Sequence, residues 1–215
     1  MILTPAMLAL VAAAAVGAHP SKLVDRPRVV AFGDSLTSGR GIDTTQAFPA
    51  ILQQRIEHDG LDYTMVNAGV SGDTSTRAMR RFDSALDGDV RVLILALGAN
   101  DGLRGVPVAQ LKWNLSQMIE KAQKQGVTVL LCAMEALPIY GWDYTVAFHN
   151  AYRELAKQYG VTLVPFVLMN VIGNPDLMQP DHAHPNAAGA RVIADTIWPY
   201  LEPVLQKNAT PSPAR

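Results

Sequence analysis

A single cysteine in 215 residues, Cys132, excludes an intrachain disulfide. It lies in the apolar run LLCAM, where a buried and inert thiol is the expected state. Charge is sparse too: 17% of residues are Asp, Glu, Lys or Arg, and the formal net charge is -1. The basic residues are scattered rather than gathered into a stripe, which removes nucleic acid as a partner. Neither Gly-x-Gly-x-x-Gly nor a Walker sequence occurs, so no phosphate-cradling loop is encoded. What is plentiful is apolar: 49% of residues are hydrophobic, which excludes a disordered chain. The length suits one domain with a sizeable core.

Residues 2–18 are mostly Ile, Leu, Ala, Val and Met and end in Val16-Gly17-Ala18. Small residues at Val16 and Ala18 predict a signal peptide over 1–18, cleaved before His19, and hence an exported protein. No Lys or Arg precedes the run, and it is short for a stable membrane span, so an uncleaved anchor is the alternative. No cysteine follows it, which excludes a lipoprotein anchor. HPSKLVDRP (19–27) reads as a linker, 28–206 as the folded domain and 207–215 as a frayed tail. Asn114-Leu115-Ser116 and Asn208-Ala209-Thr210 match a glycosylation pattern by chance.

Within the domain, β-branched apolar runs alternate with helical patterns. RVVAFG (28–33), YTMVNAG (63–69), VRVLILALG (90–98), VTVLLCAM (127–134) and VTLVPF (161–166) are the strand candidates. They are nearly continuous in apolar residues, as strands covered on both faces require, so the sheet is expected to be parallel. In 106–125, Val108, Leu111, Leu115, Met118, Ile119 and Ala122 recur at steps of three and four, and Gly126 supplies the stop. Segments 45–59, 74–87, 145–159 and 185–205 behave alike, with Pro185 suited to a first helical turn. The alternation predicts an α/β doubly wound domain with a five-stranded sheet.

Open parallel sheets bind ligands beyond the carboxyl ends of their strands. Ser35, Gly69 and Asn100 all fall just past such ends. Ser35 alone fits a turn or helix cap, and Thr37 denies it the Gly-x-Ser-x-Gly elbow. Its companions change the reading. Gly69 can bring its N–H close to a substrate, and Asn100 offers an amide at the next strand end, although a tight turn and a cap are their ordinary roles. The Ser35 N–H is a third donor for a developing oxyanion. Asp181 and His184, three apart in a loop, can pair so that imidazole Nδ1 faces the carboxylate and Nε2 faces Ser35. His182 is the local rival as base. Metal ligation by Asp181, His182 and His184 lacks a further His or Cys cluster to complete it. His19, His58 and His149 read as surface or helix residues, and Asp34, Asp73 and Asp101 as acids that bond loop backbone.

The blocks GDSLT, NAGVSGDTS, LGANDGLRG and DHAHPN, in this order, resemble the SGNH (GDSL) hydrolase family, nearest its bacterial periplasmic thioesterase/lysophospholipase and arylesterase type. The resemblance covers about residues 28–205. It implies a flavodoxin-like three-layer α/β/α sandwich, with Ser35 as nucleophile, His184 as base, Asp181 as its orienter, and Ser35, Gly69 and Asn100 as oxyanion donors. It implies no metal and no organic cofactor. Two positions depart from the subgroup: Ala99 replaces a second glycine, and Ser38-Gly39-Arg40-Gly41 stands where Ala-Gly-Tyr is frequent.

The expected activity is hydrolysis of small-molecule carboxylic esters or thioesters with short-to-medium acyl or aryl groups, or of lysophospholipids. Leu103, Val106, Leu137, Ile139, Tyr140 and Trp142 are candidates to line an apolar acyl groove, or simply to cover the core. A carbohydrate O-acetylesterase and a non-catalytic lipid- or glycan-binding module are the competing readings.

Overall fold

The computed structural model describes residues 26–208. The expected signal peptide, residues 19–25 of the expected linker, and residues 209–215 lie outside this range. Five strands form one sheet: β1 (Arg28–Gly33), β2 (Thr64–Gly69), β3 (Val90–Ala96), β4 (Thr128–Cys132) and β5 (Thr162–Val164). Their order is β2-β1-β3-β4-β5, and every neighbouring pair is parallel. Val29–Phe32 in β1 and Val92–Ala96 in β3 are buried on both faces, which is why their sequences do not alternate. β2 is an edge strand, and its residues are only partly covered.

Helices clothe both faces. After α1 (Ser35–Ser38) come α2 (Phe48–His58), α3 (Ser75–Met79), α4 (Phe82–Ala85) and α5 (Ala99–Leu103). The long helices α6 (Val108–Lys124), α7 (Trp142–Tyr159) and α8 (Ala187–Asn208) follow. α2 packs with α8, and α6 with α3 and α7, giving a three-layer α/β/α sandwich. Leu111, Leu115, Met118, Ile119 and Ala122 of α6 are all buried, and Gly126 stops the turn at φ +75. Cys132 is fully buried, and burial pushes its thiol up to about 12. Among the described residues no helix is long and apolar enough to cross a membrane.

Several boundaries differ from expectation. The β3, β4 and β5 runs overshoot because apolar residues continue into buried loop: Leu97 and Met134 are core although they follow the strands. Segment 45–59 opens with a 3₁₀ turn at Thr44–Gln46 before α2 begins. α7 starts three residues early, at Trp142. Pro185 precedes the last helix rather than opening it: it bridges to Met178, and Asn186 caps α8 by accepting from the N–H groups of Ala188 and Gly189. α8 runs on through Asn208, so Lys207 and Asn208 are helical rather than tail.

The expected helix over 74–87 divides into α3 and α4, and the division is informative. Arg81 sits at the break and reaches back to the sheet. Its Nη2 donates to Gly33 O and its Nη1 to Ala68 O, each at 2.8 Å, while Nε donates to Asp73 Oδ2 at 2.8 Å. The guanidinium also lies 4.2 Å from the centre of the Phe32 ring. One side chain thus fastens the ends of β1 and β2 where the loops bearing Ser35 and Gly72 depart. The chain leaves β1 outward to β2 and then crosses to β3, so the loops after β1 and β3 diverge and leave a crevice between them.

Candidate active site

Ser35 opens α1 directly after β1. Asp34 caps that turn, its Oδ1 accepting from Leu36 N at 3.0 Å. The Ser35 side chain points to the loop 178–186, where His184 Nε2 lies 3.0 Å from Ser35 Oγ. On the other side of the ring, His184 Nδ1 is 2.7 Å from Asp181 Oδ2. A carboxylate can only accept, so Nδ1 carries the proton and Nε2 is left to accept from the serine hydroxyl.

Local sequence explains this arrangement. Asp181 Oδ1 accepts from the N–H groups of Ala183 and His184, both at 3.0 Å, which curls the loop back on its own acid. The curl requires a left-handed residue, and His182 supplies it at φ 55, the only non-glycine among the described residues with positive φ. His182 is exposed, and it is His184, not His182, that meets Ser35. The imidazole of His184, with the two backbone N–H groups, holds the Asp181 carboxyl well below the usual range. The acid is therefore held ionised.

The oxyanion candidates separate under inspection. Asn100 Nδ2 donates one hydrogen to Asp34 Oδ2 at 3.1 Å and keeps the other. The turn before it is fixed by Tyr152, whose buried hydroxyl donates to Leu97 O at 2.8 Å. That hydroxyl lies 1.9 Å from where a Cβ on residue 98 would stand, so Gly98, at φ +122, is obligatory there. The Ser35 N–H meets no acceptor among the described residues. The Gly69 N–H, by contrast, donates to Asn67 Oδ1 at 3.0 Å and is spent. The smallness of Gly69 serves packing: a Cβ there would stand 2.3 Å from Ser38 N. Three residues on, the N–H of Gly72 finds no acceptor among the described residues. Gly72 has φ +81, and its carbonyl accepts from Arg104 Nη2 at 3.2 Å. Sequence reasoning passed over Gly72. The signal was available in Gly72-Asp73-Thr74-Ser75, a glycine just ahead of Thr74, the N-cap of α3.

The neighbouring acids have distinct duties. Asp101 is buried and accepts from Ser75 N and Ser75 Oγ, tying α3 to α5. Asn114, also buried, donates to Ser75 and Thr76, which removes it as a glycosylation site. Asp73 does not bond loop backbone as expected: its carboxylate faces Arg81 and Arg77. His58 is paired with Asp59 at the end of α2, and His149 on α7 with Glu135. Among the described residues no group of three or more His, Cys, Asp or Glu could hold a metal ion.

Of the six groove candidates, Leu103, Val106 and Tyr140 come together. The Tyr140 hydroxyl donates to Leu103 O at 3.1 Å, and Tyr144, whose ring meets Tyr140 edge-on, donates to Val106 O. Leu137 and Ile139 are exposed on the loop after β4. Trp142, 71% exposed, borders a separate groove of about 940 Å³ between α6 and α7.

Burial raises Asp34 from 3.8 to about 6, against the opposing pull of its bonds from Leu36 and Asn100. The folded value lies above the unfolded one, so folding favours the protonated acid. That contribution is full below the unfolded value and is lost as pH rises through about 6. Two pKa units correspond to about 3 kcal/mol. Chemical denaturation from about pH 4 to 7 should therefore show the wild type losing stability relative to Asp34→Asn, by an amount of that order. A difference that stays flat across this range would assign Asp34 an ordinary pKa.

Known proteins resemble this chain in sequence and in fold. A sequence model of the GDSL-like Lipase/Acylhydrolase family matches residues 31–192. Esterase TesA of Pseudomonas aeruginosa is 41% identical over 174 residues, 80% of this chain and 87% of that protein. Thioesterase 1/protease 1/lysophospholipase L1 of Escherichia coli is 33% identical over 178 residues, 82% of this chain and 84% of that one. The crystal structure of TesA superposes with a TM-score of 0.78 at 39% identity, covering 82% of this chain and 99% of the other. Esterase EstA from Pseudoalteromonas sp., inhibited by monoethylphosphonate, gives 0.79 at 29% identity, covering 83% and 98%. With the family matched over most of its length and relatives above 30% identity across four-fifths of it, this chain belongs to the GDSL-like lipase/acylhydrolase family.

Proposed function

We propose that this chain is an exported serine hydrolase that cleaves carboxylic esters or thioesters through an acyl-enzyme. The observation that carries the reading is the continuous hydrogen-bond chain Ser35 Oγ, His184, Asp181 at the mouth of the crevice. His184 Nε2 takes the Ser35 proton as Oγ attacks the acyl carbonyl. The resulting oxyanion is held by the Ser35 N–H, the unspent hydrogen of Asn100 and a glycine N–H. Of the two glycines available, Gly72 supports that role better, because the Gly69 donor is occupied. His184 then protonates the leaving alcohol or thiol, and a water attacks the acyl-enzyme by the same route in reverse. Asp181 keeps the ring in the productive tautomer and offsets the imidazolium charge.

Asp34 has a supporting part. Its second oxygen holds Asn100, so the amide hydrogen left over is aimed rather than free to rotate. An oriented donor of this kind contributes about 3–4 kcal/mol to the transition state. Short-to-medium acyl and aryl esters fit a site open to solvent, with Leu103, Val106 and Tyr140 gathered at the end of α5, the helix that contains Asn100. Export is proposed from residues 1–18, with N-terminal sequencing of material recovered outside the cytoplasm expected to begin at His19. A start at Met1 would contradict cleavage.

Hydrolysis of p-nitrophenyl esters from acetate to palmitate, with purified wild type and variants, tests the activity. Ser35→Ala should lower kcat on the order of 10⁴-fold or more, and Asn100→Ala by roughly 10²–10³. Undiminished turnover in Ser35→Ala would remove it as nucleophile. An optimum on acetylated sugars, indifferent to acyl length, would favour a carbohydrate O-acetylesterase.

A further inference from the structure

Two of the proposed oxyanion donors stand on separate loops. Gly72 lies between β2 and α3, and Asn100 lies on α5 after β3. β1 runs between β2 and β3, so no direct strand pairing sets how far apart these loops stand. Strands two places apart in a sheet are separated by about 10 Å. Donors to a single oxygen must each come within about 3 Å of it. The two loops must therefore lean toward each other over the end of β1 and be held there.

A buried side-chain link spans the gap. Asp101, next to Asn100, has both carboxylate oxygens on Ser75, the first residue of α3, and both residues are fully buried. Oδ2 accepts from Ser75 N at 2.8 Å and Oδ1 from Ser75 Oγ at 2.5 Å. The N–H of a first helical residue has no partner within its own helix, so this carboxylate meets a need that α3 cannot. α6 backs the link. Asn114 Nδ2 donates to Ser75 Oγ at 2.8 Å and to Thr76 Oγ1 at 2.9 Å, and its carbonyl accepts from Gln110 Nε2 at 3.0 Å. The Ser75 hydroxyl thus receives one hydrogen and gives one, which fixes its rotation. At the surface Arg104, the residue after α5, repeats the tie by donating to Gly72 O at 3.2 Å. A buried ionic group adds little stability over apolar side chains of the same shape, so packing alone does not account for this link. What the link supplies is a fixed direction and length between two loops.

We infer that Asp101 is a positioning residue, which through Ser75 sets the span between Gly72 and Asn100 so that both donors converge on one oxyanion. The inference rests on the acyl-enzyme chemistry proposed above. Asp101 and Ser75 are buried away from substrate, and no bond to either forms or breaks during turnover. Their effect reaches the reacting atoms only through the two donors, so it belongs to the transition state rather than to substrate binding.

A medium-chain alkyl trifluoromethyl ketone tests this, because its carbonyl adds reversibly to an activated serine and leaves an oxyanion where that of an ester forms. Its Ki is measured beside kcat and KM for p-nitrophenyl butyrate in wild type, Asp101→Asn, Ser75→Ala and Asp101→Ala. Each value is normalised to the sites that a fluorophosphonate labels. kcat/KM should fall about threefold in Asp101→Asn, which keeps an acceptor for Ser75 N. It should fall about tenfold in Ser75→Ala and about 30-fold in Asp101→Ala, within the range for misplaced donors. KM should stay within about twofold of wild type. Ki should rise, variant by variant, by the factor that kcat/KM loses, since both report the same oxyanion. Leu115→Ala, which opens a core cavity on α6, is the control for lost stability. It should lower the thermal midpoint and leave Ki and kcat per labelled site unchanged. If Asp101→Ala does not fold, Asp101→Asn and Ser75→Ala carry the same comparison. A fall in kcat with Ki unmoved, or a rise in Ki that Leu115→Ala reproduces, overturns the proposal. A wild type that neither binds the ketone nor takes the label overturns the hydrolase reading instead, which keeps the two failures apart.

Discussion

The 3.0 Å hydrogen bond between Ser35 Oγ and His184 Nε2 joins residues 149 positions apart in the chain, and the rest of the architecture serves to close it. Such a bond stabilises a protein by only about 1 kcal/mol, so it does not hold the fold together; the fold holds it. β1 lies inside the sheet, flanked by β2 and β3, which fixes Ser35 at the crevice. The opposite partner arrives on a loop that is tied at several points. Asn186 caps α8 and donates to Asp176 O, Pro185 bridges to Met178, and Gln179 spans from Arg40 to Pro185. α8 then packs against α2 and against β4 and β5, which anchors the loop's far end to the sheet.

Two carboxylates near the pair are driven in opposite directions, and this divides their work. Asp181 is about half exposed, bonded by three N–H groups, and held ionised. Asp34 is fully buried beside Asp101, and desolvation raises it toward neutrality. The first can offset charge that appears on His184 during turnover, whereas the second orients an amide and needs no net charge to do so. Environments that push paired acids apart are how one site assigns different roles to the same side-chain chemistry.

Much of this was legible in the sequence, for identifiable reasons. The five strands could be found because a parallel sheet covered on both faces demands unbroken apolar runs. Their ends were overshot because Leu97 and Met134 belong to the core without belonging to a strand, and residue type does not distinguish the two. Ser35, Asp181 and His184 could be named because a three-residue spacing allows the acid and imidazole to meet within one turn. The break at Arg81 could not, since it follows from the reach of one guanidinium to Gly33 O and Ala68 O, a tertiary fact. The difference between Gly69 and Gly72 was hidden for a related reason: whether an N–H is free depends on what the folded backbone places against it. Leu137, Ile139 and Trp142 were ambiguous because apolar residues lie both in cores and at rims.

The central claim is that Ser35 is an activated nucleophile rather than a capping serine. Intact-mass and peptide spectrometry of the protein after exposure to a fluorophosphonate tests this most directly. A phosphonate forms a stable adduct only with a hydroxyl whose proton has an acceptor at hand. The account predicts one adduct per chain, on Ser35, at a rate that falls by on the order of 10³-fold or more in His184→Ala. A chain that stays unlabelled, carries the adduct on another serine, or reacts equally fast without His184 would contradict it.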